Sequence, residues 1–180
     1  MYMLEDEHNL IARAKAGEAE AFGLLYDFYM PRIYRFVLVK VGLREEAEDL
    51  THQTFLRAWE HIETYESRGY PFSSWLYRIA RNSVIDHHRR SKPNVSIDNL
   101  GYDILADEKL QDKILDSKMD WDVLLEAIFK LKDVEQDVLI MRFVDDLTHQ
   151  EIAKAIGKSE GATKVIQHRA LRNLQKLIEK

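Results

Sequence analysis

The chain has 180 residues, a formal net charge of −5, three prolines, seven glycines and no cysteine. Without cysteine there is no disulfide framework, no thiolate zinc site and no cysteine nucleophile, and so few prolines and glycines argue against a loop-rich or β-rich fold. No apolar run approaches the ~20 residues that a bilayer span needs, and the acidic opening MYMLEDEHNL lacks the basic and apolar parts of a signal peptide, so the sequence predicts a cytoplasmic protein with no membrane insertion.

Almost every periodic stretch has helical spacing, which predicts an all-α fold. A short first helix is expected over about Glu5–Ala16 and a long second one over Glu18–Val41. In the second, Phe22, Leu25, Tyr29, Ile33 and Phe36 recur three or four apart, Pro31 should kink or split the helix, and Gly42 ends it. A third helix spans Arg44–Ile62. Its inner side is Ala47, Leu50, Thr51, Thr54, Ala58 and Ile62; its outer side is Asp49, Gln53, Leu56 and Glu60, with His52 beside them. An acidic and amide stripe around one exposed leucine can dock a partner, but single exposed leucines are common, and composition alone favours ordinary solvent surface.

The segment Glu63–Pro71 reads as a loop, followed by a helix over Phe72–Ser91 that stops before Pro93. Phe72, Trp75, Leu76, Ile79 and Ser83 are expected inward, and Tyr77, Arg78, Arg81 and Arg89 outward. Arg68 to Lys92 carries five arginines and one lysine against a single aspartate. Cations interleaved with Tyr65 and Tyr70 suit single-stranded or distorted nucleic acid, the cations on phosphates and the rings on unpaired bases. Lys92–Asp112 is acidic and turn-rich and reads as a linker; from Asp98 to Asp122 eight acids face three lysines. The fold therefore divides into two small helical domains, 1–92 and 118–180, around a linker, 93–117.

Four more helices are expected at about Met119–Leu131, Val134–Phe143, Thr148–Ile156 and Glu160–Ile178. The last two form a helix-turn-helix: Thr148 and Glu151 make a capping box, Gly157 turns the chain and Ser159 caps the second helix. On that helix Ala162, Ile166, Ala170, Leu174 and Leu177 gather on one side. Lys164, His168, Arg172 and Gln175 gather opposite, with Arg169 and Lys176 flanking. Such a stripe suits phosphates and base edges in a major groove, and Val165 could meet a thymine methyl; a solvated charged face is the competing reading. The string DLTHQ occurs at Asp49–Gln53 and again at Asp146–Gln150, once inside a helix and once at a helix start. The flanks do not match, so the two copies are coincidence rather than duplication.

Four strings in order resemble the extracytoplasmic-function class of sigma factors of bacterial RNA polymerase: AFGLLYDFYMPRIYRFV, EEAEDLTHQTFLRAW, PFSSWLYRIARNSVIDHHRR and LKDVEQDVLIMRFVDDLTHQEIAKAIGKSEGATK. The resemblance covers nearly the whole chain. It implies a transcription initiation factor, not an enzyme, that binds core RNA polymerase and helps melt promoter DNA without cofactor or metal. It places Asp49, His52, Gln53, Leu56 and Glu60 on the β′ clamp helices. It assigns Tyr65, Arg68, Tyr70, Arg78, Arg81, Asn82 and Arg89 to the minus-ten element, and Thr163, Lys164, Val165, His168, Arg169 and Arg172 to the minus-thirty-five element. It also implies an anti-sigma factor as a partner. The chain departs from the family pattern at His52-Gln53, where Gln-Glu is usual, at Val165-Ile166, where Ser-Arg is usual, and near Lys132, where a proline is usual. A stand-alone helix-turn-helix regulator and a helical adaptor without nucleic acid are the alternatives.

Overall fold

The computed structural model describes residues 6–67, 69–90 and 121–179. The expected linker therefore lies outside the described residues, and so does Arg68. Among the described residues there is no strand; eight α-helices account for the fold. They are α1 (Glu7–Lys15), α2 (Ala19–Val41), α3 (Arg44–His61), α4 (Phe72–Arg90), α5 (Trp121–Phe129), α6 (Asp133–Leu139), α7 (His149–Ile156) and α8 (Glu160–Ile178). A 3₁₀ turn (Ile62–Thr64) extends α3, and a π turn (Ile140–Val144) extends α6.

The helix ends follow from local chemistry. Gly42 closes α2 at φ 76°, its N–H donating to the Leu38 carbonyl at 2.9 Å, a left-handed conformation that costs glycine little. Gly157 does the same for α7 at φ 68°. The Thr148 hydroxyl accepts from the Glu151 N–H and the Glu151 carboxylate accepts from the Thr148 N–H, which is the expected capping box. Ser159 accepts from the Ala162 N–H at 3.2 Å and so starts α8. Pro31 does not split α2, which runs unbroken through it. Between α5 and α6 the Gln136 amide donates to the carbonyls of Phe129 and Leu131, both at 3.1 Å, and so satisfies the end of α5. Lys132, where a proline is usual in the family, donates its backbone N–H to Glu135 at 3.4 Å, a bond that proline cannot make.

Helices α1–α4 pack as one body and α5–α8 as a second, and the two bodies are joined. A continuous core runs from Leu25, Ile33, Phe36 and Leu76 in the first to Leu125, Met141, Ile152 and Ile166 in the second, and a smaller cluster of Leu131, Leu139 and Ala170 lies within the second. The contact is made chiefly by α4 against α7. Tyr77 of α4 was expected to face outward; instead it is fully buried, because α4 is covered on a second side by the other body. Its ring lies edge-on to Phe36 at 5.4 Å, and burial pushes its hydroxyl pKa well above the ordinary value.

Candidate polymerase and nucleic-acid interfaces

Three faces carry the expected functional residues. The first is the outer stripe of α3. Asp49, His52, Gln53, Leu56 and Glu60 are all exposed, while Ala47, Leu50, Thr51, Thr54 and Ala58 on the opposite side are buried. Leu56 shows 57% of its surface. The Thr51 and Thr54 hydroxyls donate to the carbonyls four residues back, at 2.6 and 2.7 Å, so that both can be buried without loss.

The second face is the loop before α4 together with α4 itself. Here the structure separates residues that the sequence grouped. Tyr70, Arg78, Asn82 and Arg89 are exposed. Tyr65 is not: it is 6% exposed and its ring packs between Phe72 and Trp75, at 5.2 and 5.1 Å. Burial, helped by Glu7, pushes its hydroxyl up to about 12. Tyr65 is therefore a core ring that fixes the loop, with its backbone carbonyl accepting from Lys15 at 2.7 Å and its hydroxyl donating to the Tyr70 carbonyl at 3.2 Å. It holds Tyr70 in place rather than offering a ring to a base. Arg81 is half-buried and donates to Asp137 of α6 at 2.6 Å, so in this arrangement the second body already occupies it. Arg78 and Asn82 line a cleft of about 800 Å³ with Tyr70, Lys154 and Lys158. Lys154 sits over the Tyr70 ring at 4.5 Å.

The third face is α8. Lys164, Val165, His168, Arg169 and Arg172 are exposed, Val165 by 67%. Thr163 departs from the expectation: it is completely buried and its hydroxyl donates to the Ser159 carbonyl at 3.0 Å. The family resemblance assigned it to the DNA face, but α8 packs on α7 and α6 together, and Thr163 falls within the buried arc. Arg169 is also engaged, donating to Glu135 of α6 at 2.7 Å. Glu135 is 1% exposed and further held by Asn173 at 3.2 Å, so this pair clamps α8 onto α6. Lys164 pairs with Glu160 one turn earlier at 2.6 Å; that hydrogen bond lowers the Glu160 pKa.

Sequence reasoning missed the carboxylates that join the two bodies. Asp137 is 1% exposed and meets both Arg81 and Lys40, the latter at 3.0 Å. Asp145 is also buried and faces Arg35 of α2 at 3.6 Å, with the Tyr77 hydroxyl adjacent. Burial pushes its carboxyl pKa up to about 7, opposed in part by Arg35.

Comparison with known proteins agrees with this geometry. The family model described as Sigma-70 region 2 matches residues 25–93, and that described as Sigma-70, region 4 matches residues 127–176. An ECF RNA polymerase sigma factor of Streptomyces coelicolor, BldN, is 41% identical over 94% of this chain, which spans 64% of that relative's length. SigW of Bacillus subtilis, also an ECF RNA polymerase sigma factor, is 30% identical over 92% of this chain and 93% of its own. The sigma factor RpoE of Bartonella quintana, solved in complex with the anti-sigma factor NepR, superposes with a TM-score of 0.66 at 20% identity, covering 88% of this chain and 96% of that one. With both regions present in order and SigW matched along almost its whole length, the chain belongs to the ECF family of RNA polymerase sigma factors, transcription initiation factors that direct the polymerase.

Proposed function

We propose that the chain binds core RNA polymerase through the outer stripe of α3, reads the minus-ten element with α4 and the loop before it, and reads the minus-thirty-five element with α8. The observation that carries this reading is the exposure of one large apolar side chain in each of two otherwise polar faces, Leu56 on α3 and Val165 on α8. Each face has its back to the core, so each is free to meet a different macromolecule. On α8, Val165, Lys164, His168 and Arg172 offer a thymine-methyl contact and a row of donors at major-groove spacing. On α4, Tyr70, Arg78 and Asn82 offer a ring and donors to an unpaired strand. Residues 1–92 then form the polymerase- and minus-ten-binding domain, 93–117 the linker and 118–180 the minus-thirty-five-binding domain. The chain acts in the cytoplasm, and an anti-sigma factor is a further partner, as NepR is for its structural relative. None of these roles calls for covalent chemistry.

A stand-alone helix-turn-helix regulator accounts for α7 and α8 but gives the α3 stripe nothing to do. The test is transcription with purified core polymerase, paired with core-binding titrations of the Asp49→Arg, Leu56→Ala double variant. Core affinity should fall by at least about tenfold, because truncating a central apolar anchor typically costs ~1–2 kcal/mol or more, with the melting temperature unchanged. Unaltered core affinity would remove α3 as the docking face.

A further inference from the structure

We propose that the cleft between α4 and the helix-turn-helix is a binding site for a small oligophosphate, a nucleoside triphosphate or an inorganic phosphate chain, held by cations from both walls. The cleft, about 800 Å³ in volume, has the size of a small-molecule site. Arg78 and Asn82 of α4 line one wall, and Lys154 and Lys158 of the helix-turn-helix line the other. Arg78, Lys154 and Lys158 are exposed and have no carboxylate partner among the described residues. Among those residues the only acid in the lining is Glu160, which is already held by Lys164 at 2.6 Å. Arg81, also in the lining, is engaged by Asp137. Cations that face one space without a counter-charge raise the local positive potential, and a multivalent anion between them lowers it.

The donors define the class of ligand. Arginine offers a planar fork of N–H groups and each lysine an ammonium, more donors together than one carboxylate accepts and matched by the oxygens of linked phosphates. Tyr70 lines the same cleft, with Lys154 over its ring at 4.5 Å. A base lying against that ring adds stacking to the phosphate contacts, so a nucleotide and a bare phosphate chain differ at Tyr70 and agree at the cations. Because the walls come from different bodies, the ligand binds their joined arrangement alone and raises the melting temperature by mass action. The site needs neither polymerase nor promoter, and its absence would leave the promoter-binding roles of α4 and α8 untouched.

The test is calorimetric titration of the full chain with GTP and, separately, with inorganic tripolyphosphate, both in metal-free buffer at low salt. Both should bind saturably, one per chain, and raise the melting temperature. Arg78→Ala on one wall and Lys158→Ala on the other change exposed side chains, so the fold survives both. Each should weaken both ligands about tenfold, the usual contribution of a hydrogen bond to a charged group. Lys176→Ala, near the far end of α8, removes the same charge outside the cleft and should leave both affinities within about twofold. Tyr70→Ala identifies the source: loss of affinity for GTP alone marks a nucleotide site, and equal behaviour of the two ligands marks a site for the phosphate chain. Absence of saturable binding by either ligand would overturn the proposal. So would binding that Arg78→Ala leaves unchanged, or an equal loss from Lys176→Ala and Lys158→Ala, which would mean attraction to overall charge without a site.

Discussion

At the scale of single residues, the charged groups divide into those that face water and those that hold the structure, and their titration and substitution should differ accordingly. Asp145 is the clearest buried group. Its pKa rises from 3.8 to about 7, so between those values the folded chain binds a proton that the unfolded chain has released. Stability therefore declines as pH rises through that window, by up to about 1.4 kcal/mol per unit, and the whole penalty is present above it. Asp145→Asn, neutral throughout, should be more stable than the parent at pH 8 and gain little at pH 5. His88 works the other way: burial, with Lys40 nearby, lowers its pKa, so protonation at acid pH opposes folding. Denaturant titrations of both proteins from pH 5 to 8 isolate Asp145 in the difference between the curves; parallel curves would show that it is not the source of the slope. On α8, Arg169 and Lys164 looked alike in the sequence. Arg169→Ala leaves the buried Glu135 with Asn173 and the Lys132 N–H but no cation and should cost about 1 kcal/mol, discounted because the Arg169 side chain is half exposed. Lys164→Ala breaks only a surface pair to Glu160 and should leave the melting temperature within about a degree. Loss of promoter use by Arg169→Ala therefore needs a stability correction that Lys164→Ala does not.

At the scale of helices, two glycines near the recognition turn make opposite predictions. Gly157 sits at φ 68° with nothing within 4 Å of an added methyl. Gly157→Ala should cost about 1 kcal/mol through backbone conformation alone. Gly161 lies in the first turn of α8, where an added methyl also meets nothing within 4 Å. Gly161→Ala should stabilise by about 0.5–1 kcal/mol by reducing unfolded-chain entropy. Chemical denaturation of the pair measures both signs at once. These helices and their caps were legible in the sequence because each depends on residues within a turn or two: the Thr148–Glu151 box, the Gly157 turn and the α3 stripe all emerged where expected. Tyr65, Tyr77 and Thr163 were not legible. A helical wheel knows one buried side, whereas Tyr77 meets a second from the other body, Tyr65 lies in a loop that no wheel describes and packs on Phe72 and Trp75, and Thr163 falls where α8 meets two helices at once. Arg81 was expected outward on α4; the packing of α6 half-buries it against Asp137, which no single helix could reveal.

At the scale of the molecule, the continuous core implies that the two bodies stand or fall together. The second body is too small to bury much apolar surface alone, and domains of that size are marginal. Part of its burial comes from α4 and α2, against which Met141, Leu147 and Ile152 complete a shared cluster. The ion pairs across the contact, Lys40 and Arg81 with Asp137, are almost free of solvent on the carboxylate side, where salt screens weakly. Thermal unfolding of the isolated chain should therefore be a single transition with equal calorimetric and van't Hoff enthalpies, and its midpoint should move little between 0.1 and 0.5 M salt. The strand binding proposed for α4 should weaken steeply over the same range, because each phosphate contact releases counterions. The contrast tells the buried junction from the exposed faces proposed to bind nucleic acid in one buffer series. Two separate melting transitions in the parent would mean that the halves fold independently, and the shared core would then contribute no cooperativity.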